Sequence, residues 1–198
     1  GPDYLAAQLR QADILIANGR GTEASRLLAE AREAQPDYAI QLFLIESESY
    51  SNNNKDAQAS QVLQQAIQRY PDDLNLLYTR AMLAEKRDDL AQMEKDLRAI
   101  IAREPENAMA LNALGYTLAD RTTRYAEAQA LIDKAHQLTP DDPAVLDSLG
   151  WVNYRLGNLD KAEDYLRQAF ASFPDHEVAA HLGEVLWANG KRREARQV

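Results

Sequence analysis

Three histidines, His136, His176 and His181, are the side chains of this 198-residue sequence whose ordinary pKa lies near neutrality, which makes them first candidates for metal ligands or general bases. Two ligands on one helix face need a spacing of three or four residues. His176 and His181 are five apart and His136 is forty residues from the nearer one, so all three read as solvated surface side chains. Cysteine is absent, which removes thiolate zinc sites, disulfides and cysteine nucleophiles together. Ser148 and Ser172 lack the strand-turn-helix context of a nucleophile elbow, and no glycine-rich phosphate loop follows a strand. The acid pairs Asp72-Asp73 and Asp141-Asp142 each follow a proline, where they suit helix capping better than acid–base chemistry. No catalytic residue, cofactor site or metal site is expected, and enzymatic activity is not the expected function.

Charge narrows the partners. Lys plus Arg number 22 against 31 Asp plus Glu, a formal net charge of −9 that disfavours nucleic acid. At 45% hydrophobic and 27% charged residues the chain is a normal folded mixture. It contains neither an apolar run long enough to cross a bilayer nor a signal-peptide pattern. The opening Gly1-Pro2 reads as the scar of a protease cleavage, with any targeting segment removed upstream.

The elements that must position any site repeat at a fixed period. Pro36, Pro71, Pro105, Pro140 and Pro174 are spaced 35, 34, 35 and 34 residues apart, and each is followed by an acid. Proline stops one helix, and the Asp or Asn after it can cap the next. The clearest copy, Pro140 to Pro174, contains two amphipathic stretches, about 143–156 and 159–173, separated only by Gly157-Asn158. Helices of that length are marginal alone, so neighbouring hairpins must cover their apolar sides. Ser51 to Asp56 reads as a slightly lengthened hairpin loop and Arg121 to Arg124 as a turn with one extra residue. Lys191, Arg192, Arg193 and Arg196 read as the outer face of a final helix.

This pattern resembles the tetratricopeptide repeat, a 34-residue helix-turn-helix. The best copy carries it as Leu146, Leu149-Gly150 and Asn153, then Ala162, Leu166 and Pro174. The preceding copy has Leu111, Leu114-Gly115 and Leu118, then Ala128, Ile132 and Pro140. Earlier copies keep Ala24, Ala31, Ala59 and Ala66; in the third, Met93 and Ile100 replace the alanines and Arg80-Ala81 replaces Leu-Gly. The resemblance implies an all-α fold, an alpha-solenoid coiled as a right-handed superhelix. It spans 3–198 as a single array of five full repeats, about 4–38, 39–73, 74–107, 108–142 and 143–175, with a truncated sixth over 176–198. Gly150 and Ala162 are expected to face each other where the two helices of a hairpin approach, and the truncated repeat is expected to fray or to self-associate.

The resemblance further implies a concave wall, lined by the first helix of each pair, that takes protein or peptide segments. The register puts Phe43, Tyr50, Tyr78, Met82, Asn112, Tyr116, Asp147, Trp151, Tyr154, Arg155, Glu184 and Trp187 on that wall. Such rings either form a partner surface or pack on the next repeat. Trp151, Tyr154 and Trp187 are assigned to the partner surface because Leu146, Leu149 and Gly150 already fill the core face. The Lys and Asn or Arg of a carboxylate clamp are missing, since the corresponding positions hold Phe43, Tyr78, Asn112 and Asp147. An aromatic and acidic wall suits an apolar or mildly basic partner.

Within the family, LYTRAMLAE, LNALGYTLAD and LDSLGWVNYRLG are similar to segments of periplasmic tetratricopeptide lipoproteins, nearest the outer-membrane adaptor of a carboxyl-terminal processing protease. That resemblance implies a scaffold that brings a serine protease to cell-wall hydrolases and reaches the membrane only through an N-terminal lipid. A general peptide-binding or assembly module and, more remotely, an enzyme subdomain are the alternatives.

Overall fold

The computed structural model describes residues 2–198, and among them there is no strand. Twelve helices follow one another in hairpins: α1 (Pro2–Ala17), α2 (Gly21–Ala34), α3 (Ala39–Asn52), α4 (Asp56–Arg69), α5 (Leu74–Lys86), α6 (Leu90–Arg103), α7 (Ala108–Arg121), α8 (Tyr125–Leu138), α9 (Pro143–Arg155), α10 (Leu159–Ser172), α11 (His176–Ala188) and the short α12 (Arg192–Ala195). The expected alpha-solenoid repeat is present. The chain forms two compact units, Gly1–Asp96 and Leu97–Val198, with the division inside α6.

The phase of the repeat is written by its helix starts. Asp73, Asn107, Asp142 and Asp175 accept hydrogen bonds from the backbone N–H groups of Leu76, Ala110, Ala144 and Glu177 at 2.7–2.9 Å, satisfying donors that the first helical turn leaves free. The first proline site departs from the expected cap. Pro36–Tyr38 closes as a three-ten turn, and α3 begins after Tyr38 with no side-chain cap.

The hairpin turns follow a second rule. Gly19, Asn54, Asp88, Gly157 and Gly190 all have φ between 58° and 84°. In each case the next residue donates its N–H to a carbonyl five residues back, as Lys55 does to Tyr50 at 2.9 Å and Asn158 to Asn153 at 2.8 Å. A left-handed residue is needed to turn the chain this tightly, which glycine allows freely and Asn or Asp tolerates. Ser51 to Asp56 is therefore no lengthened loop, because its connection has the same three residues as that after α9. The α7–α8 turn uses another device: α7 is one residue longer than α9, and Thr122 is extended, its Oγ1 bonding the carbonyl of Leu118 and accepting the N–H of Arg124 at 3.1 Å.

In the α7–α8 and α9–α10 hairpins of the second unit, the close approach depends on glycine. A Cβ on Gly150 would lie 2.4 Å from Leu166 Cγ, and one on Gly115 would lie 2.6 Å from Ile132 Cγ1. Gly150 is thus opposed by Leu166 rather than by Ala162, although Ala162 is buried in the same core. In the first unit the equivalent first-helix positions are Glu46 and Ala81, and charge replaces bare contact. Arg32 on α2 meets buried Glu46 on α3 of the next hairpin at 2.6 Å, and within one hairpin Arg80 on α5 grips Asp96 on α6 with two hydrogen bonds of 2.8 and 2.7 Å. A forked guanidinium satisfies a buried carboxylate as no single donor can.

Candidate interaction face

In the second unit α7, α9 and α11 pack in sequence as the first helices of their hairpins, and their side chains meet across the repeat. His181 on α11 presents Nδ1 to both carboxylate oxygens of Asp147 on α9, at 2.9 and 3.0 Å. Its ring stacks on Trp151 at a centroid distance of 4.2 Å, and its Nε2 lies 3.4 Å from the hydroxyl of Tyr116 on α7. Burial pushes the His181 pKa down, but the Asp147 hydrogen bond and charge outweigh it, and the net shift is upward.

Three further carboxylates are each held by an aromatic donor. Trp151 Nε1 donates to Asp120 at 3.1 Å, the Tyr116 hydroxyl to Glu177 at 2.8 Å and the Tyr154 hydroxyl to Glu184 at 3.0 Å. None of the three makes an ion pair among the described residues. Burial and the adjacent Glu177 push the Tyr116 hydroxyl far above the usual phenol range; burial and the adjacent Glu184 raise that of Tyr154. The Asp147, His181 and Tyr116 alignment ties α7, α9 and α11 together. Arg155 turns away from the carboxylates; its guanidinium bonds Tyr125 at 2.9 Å and lies 5.3 Å from that ring.

Several wall assignments change once the neighbouring repeats are in place. Trp151 and Asp147 are buried, so Trp151 is a packing ring and not a free contact. His181 is buried and paired, contrary to the solvated reading, whereas His176 is exposed and His136 is half-buried edge-on to Tyr165. In the first unit Phe43 is buried between Tyr70 and the Arg32 guanidinium, 3.9 Å from its ring centre. Tyr50 is likewise buried, its hydroxyl bonding the Gly21 carbonyl at 2.9 Å and the Ser25 hydroxyl at 2.7 Å. Tyr78, Met82, Asn112, Tyr116 and Tyr154 are half-buried, and Arg155 and Glu184 are exposed. Trp187 is 48% exposed, with Arg192 and Arg196, themselves exposed, at 5.2 and 5.9 Å from its ring.

Lys191 turns inward, bonding Glu163 at 2.7 Å. Burial alone would raise the Glu163 pKa, yet Lys191, Asn189 and Arg167 together pull it to about 2. Asp120, Glu177 and His181 were absent from the sequence-derived wall. Asp120 could have been found, since it lies four residues beyond Tyr116 on the same helix. Glu177 and His181 could not, because their partners lie 61 and 34 residues away.

Known proteins agree with this architecture. Sequence profiles of the tetratricopeptide repeat match residues 106–175 and 9–73. A TPR repeat-containing protein of Pseudomonas aeruginosa is 68% identical over 184 residues, covering 93% of this chain but only 31% of that relative. Among solved structures, a tetratricopeptide repeat protein from Parabacteroides merdae superposes with a TM-score of 0.75 at 16% identity, over 98% of this chain and 76% of that one. PilW, a type IV pilus biogenesis factor, does so with a TM-score of 0.74 at 16% identity, over 98% and 90%. With matching profiles on both units and helical hairpins repeating every 34 or 35 residues, the chain belongs to the tetratricopeptide-repeat family of protein–protein interaction scaffolds.

Proposed function

We propose that the chain acts through the first-helix face of its second unit, holding a basic or mildly apolar segment of a protein partner. The observation that carries this is the trio Asp120, Glu177 and Glu184: carboxylates oriented by Trp151, Tyr116 and Tyr154, with no cation of the chain paired to them. Pre-oriented acceptors lose little freedom on binding, and Tyr and Trp add contact area at low entropic cost. Exposed Trp187 extends the same helix face by one turn beyond Glu184.

The partner we propose is a periplasmic carboxyl-terminal processing serine protease, brought by an outer-membrane lipoprotein to cell-wall hydrolase substrates. Support for this finer identity is the similarity of 77–85, 111–120 and 146–157 to such adaptors, and the alternative is a general assembly module of another envelope or cytoplasmic complex. The test has two arms. Binding of a Lys- and Arg-containing peptide, followed by calorimetry, is expected to weaken at least about tenfold in Glu177→Gln/Glu184→Gln, a loss of roughly 1.4 kcal/mol; equal affinity rejects the face. A pull-down from periplasmic extract is expected to recover the protease with the wild type and not with the variant. Recovery of other partners alone rejects the adaptor role while leaving the face intact.

A further inference from the structure

A polar cavity of about 210 Å³ lies in the first unit, between Ser60 and Gln64 of α4, Arg80 of α5, Arg87 just after it, and Asp89 and Gln92 at the start of α6. Its wall is rich in donors that nothing in the chain uses. Arg80 commits Nε and Nη2 to Asp96, which leaves Nη1 without a partner. Gln92 has a fully buried side-chain Nε2 that meets no acceptor, although its backbone N–H bonds Asp89 at 3.1 Å. Arg87 is exposed and forms no ion pair among the described residues; the nearby Asp56 is taken by Lys86 at 3.0 Å.

A buried amide donor with no acceptor is disfavoured, and a ligand oxygen placed against it recovers that loss. Two guanidinium groups and the first turn of α6 then favour negative charge on that oxygen. The charges already present set how much. Arg80 is already paired with Asp96, and the Asp89 carboxylate shares the wall with Arg87, so a singly charged group is accommodated better than a doubly charged one. We infer that this cavity is a carboxylate-binding site, its planar group bridging Arg80 Nη1, Arg87 and Gln92 Nε2. The carboxylate comes either from a small free acid or from an acidic side chain of a bound protein, and the site is independent of the acidic face of the second unit.

The test follows the side-chain amide of Gln92 and the arginine Nε–H signals by NMR while the protein is titrated with acetate, with acetamide and chloride as controls. Saturable shifts with acetate alone are expected, weakened at least about tenfold in Arg87→Gln. That substitution is on an exposed side chain, and circular dichroism checks that the variant stays folded. Blocked tripeptides with a central Glu or Gln identify the source. Tighter binding of the Glu peptide than of acetate assigns a protein side chain, and equal or weaker binding assigns a free acid. Absence of saturable shifts, shifts shared with acetamide, retention in Arg87→Gln, or phosphate binding more tightly than acetate overturns the inference.

Discussion

The two units solve the same packing problem in different ways. In the second, Gly115 and Gly150 remove side chains so that Ile132 and Leu166 reach the facing backbone, and the hairpins close on apolar contact. In the first unit a carboxylate stands at one of those positions and a guanidinium precedes the other; Arg80–Asp96 ties its own hairpin together, and Arg32–Glu46 ties one hairpin to the next. Burying a charge pair gains little over apolar packing, yet breaking it strands a charge, so the first unit is the more brittle to single substitutions. Polarity is inverted at the surface as well. The first unit hides Phe43 and Tyr50 and keeps unused donors at the α4–α6 cavity, while the second displays carboxylates held by Trp151, Tyr116 and Tyr154.

The sharpest way to break this comparison is to remove one half of a buried pair. Asp96→Ala leaves Arg80, only 22% exposed in its side chain, without a counter-ion and is expected to cost about 3 kcal/mol, a fall of roughly 6–12 °C in Tm. Arg80→Met with Asp96→Leu should restore most of that loss in thermal denaturation. A double variant as unstable as the single one would mean that the pair is worth more than apolar packing at this site. Next comes the glycine contact: Gly150→Leu drives its side chain into Leu166 and is expected to cost about 1–3 kcal/mol, against less than about 0.5 kcal/mol for Asp160→Leu on the exposed side of α10. Equal melting of the two would refute the packing register.

A smaller effect separates the units by pH. The His181 pKa is raised on folding, so its pair with Asp147 contributes fully below the unfolded value near 6.5 and is lost as pH rises through the folded value. The Tm difference between wild type and His181→Gln is therefore expected to shrink as pH rises from 6 to 9, and a constant difference would show that the stacking on Trp151 matters and the charge does not. Smallest is Trp187→Ala, expected to change stability by less than about 1 kcal/mol because the ring is half exposed beside Arg192 and Arg196. A larger loss would make Trp187 a core residue and remove it from the proposed face.

Much of the fold is local, and for that reason legible. Prolines in phase, capping residues and the spacing of Leu149-Gly150 and Leu166 lie within one hairpin, and the helix boundaries of α9 and α10 fall within a residue of those read from periodicity. The misreadings at Ser51 to Asp56 and at Asp37 are of another kind. They turned on backbone φ at Asn54 and on a three-ten closure at Pro36, which residue type only biases. The candidate face was half legible. Periodicity put these residues on the first helices but could not say which rings the next hairpin would cover: Trp151, assigned to the partner surface, is buried, and for Phe43 and Tyr50, where packing was the other reading, packing holds.

By itself, then, the sequence determined a helical-hairpin repeat of the tetratricopeptide family, its phase and four of its capped helix starts, because each depends on neighbours within one repeat length. Tertiary structure alone decided that His181 joins Asp147, that Arg80 meets Asp96, and that Asp120, Glu177 and Glu184 are held by Trp151, Tyr116 and Tyr154. Those outcomes depend on how far one helix travels past the next, a distance that packing volume sets and that local periodicity does not encode.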